Sequence, residues 1–224
     1  MLSRRLKTIA ALVPSGARVC DIGTDHAILP IFLSENNLAD SVIATDLREK
    51  PLNKAKENIE KSGASGIQLR LCDGFSGVNS DEFDAAVIAG MGGEVISGII
   101  SRAEMLKNRN KLLILQPTTS PEILRKYLCG NGFSIEKEIP LTDNGKLYSV
   151  MSVRYSGAPK ECDEVYFYVG DIKPDCRDGL AYIEKQYHRF KSCADALKTI
   201  PEKYDEYRLY SKLAEKIRSI RDGV

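Results

Sequence analysis

No stretch of the 224-residue chain approaches the roughly 20 apolar residues needed to span a bilayer, so no membrane helix is expected. No two of the six cysteines form a CxxC pair, which argues against a zinc knuckle, and no metal site is expected. Cys20 and Cys72 fall inside apolar, strand-like runs, where cysteine behaves as a small hydrophobe. Free thiols in a reducing cytoplasm follow as the expectation. Charge of one sign is also lacking: 32 Lys and Arg stand against 31 Asp and Glu, so bulk charge does not single out nucleic acid. The basic N-terminus has no secretory apolar core. Instead Leu6, Ile9, Ala10 and Val13, with Lys7 among them, take helical spacing. Internal repeats and low-complexity tracts are absent. With 43% hydrophobic and 28% charged residues the composition is that of an ordinary globular protein. The length suits one domain of about 150 residues and a smaller appendage. Local charge is less even than the total. Residues 1–20 hold Arg4, Arg5, Lys7 and Arg18 and no acid, which leaves open a solvated helix face or an anion-binding surface.

One stretch stands out: Asp21-Ile22-Gly23-Thr24-Asp25-His26-Ala27-Ile28-Leu29-Pro30, set between the short runs Arg18-Val19-Cys20 and Ile31-Phe32-Leu33. It reads as a buried strand, a tight glycine turn and a helix start. That arrangement aims helix N-terminal amides and a strand-end carboxylate at a ligand. Gly23 lets the ligand approach the backbone closely, since no Cβ intervenes. The Asp21 carboxylate would repel a pyrophosphate and attract a cation, which favours S-adenosylmethionine over a dinucleotide.

The pattern predicts a first helix over 3–13, capped by Ser3 and ended by Pro14-Ser15-Gly16. Strands are expected over 18–22, 41–45, 67–72, 84–88 and 111–115, with helices over 25–35, 51–62, 94–105 and 121–129 between and after them. Pro51 opens one of these helices and Gly63 stops it. Alternation then gives way to two strands, 133–139 and 147–154, joined through Asp143-Asn144-Gly145, a strong hairpin signal. Five βα units closed by such a hairpin make an α/β fold, the Rossmann-like doubly wound sheet with one antiparallel strand of class I methyltransferases. Ser156-Gly157-Ala158-Pro159 reads as a linker, dividing a catalytic domain (1–156) from a C-terminal α-helical one (157–224). In the latter, Leu180, Ile183, Tyr187, Phe190, Ala194 and Leu197 form one helical stripe. Beyond Pro201 a second stripe runs from Tyr204 to Ile220, which suggests a helical hairpin. Residues 177–221 hold 11 Lys and Arg against 7 Asp and Glu, a mild local excess.

Asp21, Asp46 and Asp73 stand at three successive strand tips, and in a parallel sheet such tips share one edge. Asp46, 25 residues beyond Asp21, suits a ribose-binding carboxylate. Asp73 suits the adenine amino group, with Phe75 or Leu47 against the ring, and Asp21 suits the methionine amine. Any one of these acids is also a plain turn former. Asp25 and Ala27 replace the later glycines of the commoner loop, which places Asp25 and His26 at the rim where donor and acceptor meet. Ala89-Gly90-Met91-Gly92-Gly93 occupies the place where many amino-group methyltransferases carry Asp/Asn-Pro-Pro-aromatic. It allows close approach of a flat ligand to exposed amides. Gln116-Pro117 can offer an amide to a base edge, or Gln116 can satisfy loop backbone. The donor-side set is thus Asp21, Gly23, Thr24, Asp46, Leu47, Asp73, Gly74, Ala89, Gly90 and Met91, with Asp25, His26 and Gln116 as catalytic candidates.

The glycine-turn stretch, Ile88-Ala89-Gly90-Met91-Gly92-Gly93, Leu113-Ile114-Leu115-Gln116-Pro117, Asn144-Gly145-Lys146 with Tyr148, and the opening Leu2-Ser3 with Arg5-Leu6 together resemble the TrmK family. These are bacterial tRNA (adenine-N1)-methyltransferases acting at tRNA position 22. The resemblance covers about residues 1–155 and extends to the rest as architecture. It implies S-adenosylmethionine as donor, tRNA as partner with Arg4 and Arg5 on its backbone and Gly92 and Pro117 on the acceptor side, and no obligatory protein partner. Two other readings share the fold: a methyltransferase acting on a protein or small molecule, and a non-catalytic S-adenosylmethionine-binding module.

Overall fold

Side chains alternate along the central strands and so set the two faces of the sheet. In β1 (Ala17–Ile22), Cys20 and Ile22 point to one side, where they join Ala86 and Ile88 of β4 (Ala85–Gly92). Val19 points to the other side, with Ala85 and Val87. The computed structural model describes residues 2–223. Its seven-stranded sheet has the order β3-β2-β1-β4-β5-β7-β6, with β2 (Ala39–Asp46), β3 (Ile67–Leu71), β5 (Leu112–Thr119), β6 (Phe133–Asp143) and β7 (Lys146–Tyr155). Only β7 runs against its neighbours; it pairs Leu113 with Val153 and Leu115 with Met151. The expected doubly wound sheet with one reversed strand is therefore present.

The first face is covered by α4 (Gly93–Ser101) and α5 (Pro121–Gly130), which bury Ile96, Ile100, Leu124 and Leu128. The second is covered by α1 (Arg4–Ala10) and α2 (Ile28–Glu35) through Ile9, Leu29 and Leu33. Each such fully buried aliphatic side chain contributes about 1.5–3 kcal/mol of transfer free energy. The amphipathic α3 (Glu49–Ser62) buries only Leu52 and Ala55, and Gly63 ends it at φ 70°. Ser3 accepts from the Leu6 amide as the expected N-cap of α1. The β6–β7 turn is the two residues Asn144 and Gly145, with φ 48° and 74°, as expected of a tight hairpin.

Several boundaries differ from expectation. α2 begins at Ile28, three residues late, because His26 and Ala27 take left-handed φ of 62° and 55°. Pro30 then lies in the first turn, where its missing N–H costs nothing. β4 and β5 run on past the expected ends at 88 and 115 to Gly92 and Thr119, so the glycines at 90 and 92 lie in a strand. α4 stops at Ser101, and a 3₁₀ turn over Glu104–Leu106 follows. Beyond the expected linker at 156–159 lies a short helix that was not anticipated, α6 (Glu164–Val169), capped by Asp163.

The chain closes with α7 (Arg177–Leu197) and α8 (Tyr204–Asp222), joined by a 3₁₀ turn at Pro201–Lys203. They pack with α6 around a third core built on Val169, Ile183, Phe190, Leu213 and Ile217. This core is tied to the sheet by polar contacts. Arg125 of α5 and Glu138 of β6 form a fully buried ion pair at 2.6 Å. Arg125 also donates to Tyr182 Oη of α7 at 2.9 Å and to the Phe167 carbonyl of α6 at 2.7 Å. Among the described residues no helix is long and apolar enough to cross a membrane.

Candidate active site

The carboxyl ends of β1, β2 and β4 meet around a cleft of about 400 Å³. Gly23 turns the chain out of β1 at φ 75°. A Cβ there would run into the side chain of Met91. The amides of Gly23 and Thr24 both donate to the Thr45 carbonyl at 2.8 Å. The turn is thus held to β2 by its own amides, and those amides are not free for a ligand. The cleft instead offers Asp21, buried in its wall with no ion-pair partner among the described residues. Burial pushes this carboxyl up to about 6, while the Thr24 hydroxyl beside it pulls the other way. Thr24 Oγ1 is itself buried without a partner in hydrogen-bond geometry. An unpaired buried carboxylate beside an orphan hydroxyl fits a ligand that brings positive charge and N–H donors.

Asp46 ends β2 and is equally buried. Its Oδ1 accepts from the Arg48 amide at 2.8 Å, whereas its second oxygen takes no hydrogen bond from the described residues. Ala89, Gly90 and Met91 line the opposite wall. Asp73 stands apart: with Gly74 and Phe75 it lines a neighbouring cleft, paired to Arg102 at 3.3 Å. The structure therefore brings Asp21 and Asp46 together and leaves Asp73 one step along the sheet edge. Phe75 is buried against Phe83, while Leu47 is 67% exposed and lines neither cleft.

Asp25 and His26 sit at the rim. His26 Nε2 lies 3.1 Å from the Asp25 carboxylate, and Nδ1 is buried without a partner. Asn58 of α3 holds the loop by donating to the His26 carbonyl at 2.9 Å. Two successive non-glycine residues in left-handed conformation cost roughly 1–3 kcal/mol each, and such strain concentrates at functional sites.

The basic N-terminal pair divides. Arg5 enters the cleft wall and donates to Gln116 Oε1 at 2.6 Å. Arg4 faces the other way, paired with Asp178 of α7 at 2.6 Å and donating to the Thr142 carbonyl. Gln116 is fully buried: Oε1 also accepts from the Gly90 amide at 3.1 Å, and Nε2 donates to the Pro117 carbonyl at 2.8 Å. It fixes Arg5 and the glycine strand in place, so of its two expected uses the structure favours backbone support over base reading. Gly92 pairs with Thr119 and Met91 with Pro117 across the extended β4–β5 ladder. The sequence reading missed Ile28 and Arg48, which also line the cleft. The signal for Arg48 was its place two residues after Asp46, the spacing of a side-chain-to-amide turn. Among the described residues no group of three or more His, Cys, Asp or Glu side chains is placed to hold a metal ion.

Replacing Asp21 with Asn isolates the burial cost. The folded-state value near 6 lies above the ordinary 3.8, so ionised Asp21 destabilises the fold. The native state holds the proton longer than the unfolded one, so this contribution to stability falls as pH rises from about 4 through 6. We expect Asp21→Asn to abolish a loss of up to about 3 kcal/mol across that window. Urea unfolding of both proteins at pH 4 and pH 7 measures the difference; equal pH slopes would contradict it.

Residues 2–151 match the family model described as a methyltransferase domain. The chain is 38% identical over 151 residues to the tRNA (adenine(22)-N(1))-methyltransferase of Bacillus subtilis (strain 168), an alignment covering 67% of this chain and 63% of that enzyme's length. In structure it resembles the crystal structure of the B. subtilis m1A22 tRNA methyltransferase TrmK, with a TM-score of 0.86, 28% identity and 99% of each chain covered. It also resembles M. capricolum TrmK in complex with S-adenosyl-homocysteine, with a TM-score of 0.81, 26% identity and coverage of 99% of this chain and 100% of that one. Matched in this way in sequence and in fold, the chain belongs to the TrmK family of methyltransferases.

Proposed function

We propose that this protein transfers the methyl group of S-adenosylmethionine to N1 of an adenine in tRNA, the adenine at position 22, in the cytoplasm. One observation carries the reading: within a family of this chemistry, the buried, unpaired Asp21 beside the orphan Thr24 hydroxyl leaves a place for a cationic ligand with N–H donors. Asp21 and Thr24 would hold the donor's amine and Asp46 its ribose hydroxyls, while Gly23, having no Cβ, leaves room for the Met91 side chain beside it. Ala89, Gly90 and Met91 form the facing wall, Asp73 and Gly74 of the neighbouring cleft are assigned to its adenine end, and the exposed Leu47 next to Asp46 is assigned there as well.

The bound donor supplies a methyl group on a sulfonium. The N1 lone pair of neutral adenine forms the new bond while the C–S pair returns to sulfur, so positive charge passes to the base. No base need activate N1, and the protein's task is alignment. Asp25, held by His26, faces the rim where that charge arrives and would offset it. N1 lies on the Watson–Crick edge, so the base must leave its stack and partner first. Residues 1–156 would perform the transfer. Residues 157–224 with Arg4 would grip the tRNA backbone through charge, and Arg5 would serve the cleft rather than the phosphates.

Incubation with labelled donor and unmodified tRNA, nuclease digestion and nucleoside identification tests the reading. Label in 1-methyladenosine is expected. Label in protein or small molecules alone would transfer the assignment to another substrate class, and donor binding without turnover would leave a binding module.

A further inference from the structure

Arg4 and Arg5 are neighbours on α1, and adjacent helix residues point about 100° apart. Arg4 therefore reaches α7, while Arg5 turns into the cleft. Ile9 and Ala10, buried against the sheet, and the Ser3 cap fix that orientation. Inside the cleft wall Arg5 Nη1 donates to Gln116 Oε1 at 2.6 Å. Gln116 is fully buried, and both ends of its amide are engaged, by the Gly90 amide and the Pro117 carbonyl. It is a fixed seat for a guanidinium, and a neutral one. An arginine carries five N–H donors, and among the described residues the Arg5 side chain finds an acceptor only in Gln116. Arg48, the other cation lining the cleft, lies 3.7 Å from Asp46 and is 77% exposed. Arg5 is half-buried and has no carboxylate within ion-pair distance among the described residues. The same cleft holds Asp21, buried and without a cation, beside the orphan Thr24 hydroxyl. One unpaired charge of each sign thus lines one cleft, the two too far apart to satisfy each other. A ligand that carries an ammonium and a carboxylate together would satisfy both.

We infer that Arg5 binds the α-carboxylate at the methionine end of S-adenosylmethionine, while Asp21 takes the ammonium of the same group. This rests on the donor site proposed above, and it moves Arg5 from the RNA backbone, where the family resemblance had set it, to the donor. The guanidinium is a planar fork whose donors match the two oxygens of a carboxylate, and a lysine would offer only a point charge. Gln116 holds that fork from behind and so lowers the cost of ordering it when the donor arrives. The bare Gly90 adjoins it: a Cβ there would lie 3.5 Å from Arg5 Nη1. S-adenosylhomocysteine keeps the same carboxylate after the methyl group has left. The contact is therefore made equally to donor and product, and it sets affinity rather than the rate of transfer.

The test titrates the protein, without tRNA, with S-adenosylmethionine and with its decarboxylated form, which keeps the ammonium and the sulfonium and lacks the carboxylate. The quantity read is the ratio of the two dissociation constants. The wild type should favour the intact donor, and Arg5→Met should reduce that preference by about 10–100-fold, the range for one hydrogen bond to a charged group. Comparing two ligands in two proteins isolates the contact from any general weakening of the cleft. Lys7→Met removes the same charge from an exposed position of the same helix and should leave the ratio where the wild type has it. A ratio unchanged in Arg5→Met, with tRNA binding weakened instead, returns Arg5 to the RNA backbone and overturns the assignment. An equal fall in Lys7→Met overturns it too, because the effect would then be one of net charge. Should Arg5→Met not fold, the wild type alone decides: binding the decarboxylated form as tightly as the intact donor is incompatible with a carboxylate contact at Arg5. A wild type that binds neither molecule overturns the donor site itself, so the two failures are distinguishable.

Discussion

Replacing Arg125 with Met should lower the unfolding free energy by about 3–5 kcal/mol, the usual consequence of stripping one partner from a buried ion pair. Both side chains are fully buried, and the guanidinium makes further bonds to Tyr182 and the Phe167 carbonyl. Burial works against its charge, yet Glu138 and Tyr182 outweigh that and hold it protonated beyond the ordinary arginine range. The variant would leave the Glu138 carboxylate without a counter-ion in an apolar joint. Arg125→Met combined with Glu138→Leu should recover most of the loss, since a well-packed apolar pair is often as stable as the ions it replaces. By contrast, the half-exposed Arg189–Glu122 pair at 3.3 Å also links α7 to α5, and its removal should cost no more than about 1 kcal/mol. Urea unfolding of the three variants ranks these effects, and a small loss for Arg125→Met would mean that water or a shifted Glu138 relieves the charge. The joint matters for function because it fixes the helical unit against the sheet that carries the site. Gly170 marks how tight the joint is: its φ is 67°, and a Cβ there would collide with the Glu138 carboxylate.

Asp46→Ala should weaken binding of S-adenosylmethionine by about 100-fold or more, because hydrogen bonds to a charged group contribute about 1.5–3 kcal/mol each and a ribose offers two donors. The carboxylate is buried, and within the fold it serves only Arg48, so folding should survive its loss. Asp73→Ala is the contrasting case. That carboxylate is more than half exposed and already paired with Arg102, so its removal should cost under tenfold. Isothermal titration of both variants decides the ranking. Equal losses would place Asp73 in the donor cleft alongside Asp46.

The layout was legible because each βα unit announces its own ends. Gly63 ends α3 as expected, Pro51 lies in its first turn two residues after the start at Glu49, and Asp143-Asn144-Gly145 announces the reversed strand. The acids at the ends of β1 and β2 were legible for the same reason, since a parallel sheet gathers its carboxyl ends. What stayed hidden depends on long-range contacts or on unusual backbone. Nothing local in Asp25-His26-Ala27 signals two left-handed residues, so α2 was placed too early. The strand expected to end at Ile88 continues through residues 90–92, because the ladder to β5 holds them. Gln116 is claimed by Arg5, 111 residues away, and Arg4 by Asp178. The Arg125 network joins four elements, none of which shows by itself that it carries a buried charge.

The account stands most directly on where the methyl group lands. Two unmodified transcripts of one tRNA, one with adenine and one with guanine at position 22, are incubated with the protein and S-adenosylmethionine. Primer extension then reads blocked Watson–Crick edges along each. The account predicts a stop at position 22 in the adenine transcript, dependent on the donor, and none in the other. Equal stops in both, or transfer at a different nucleotide, would contradict it.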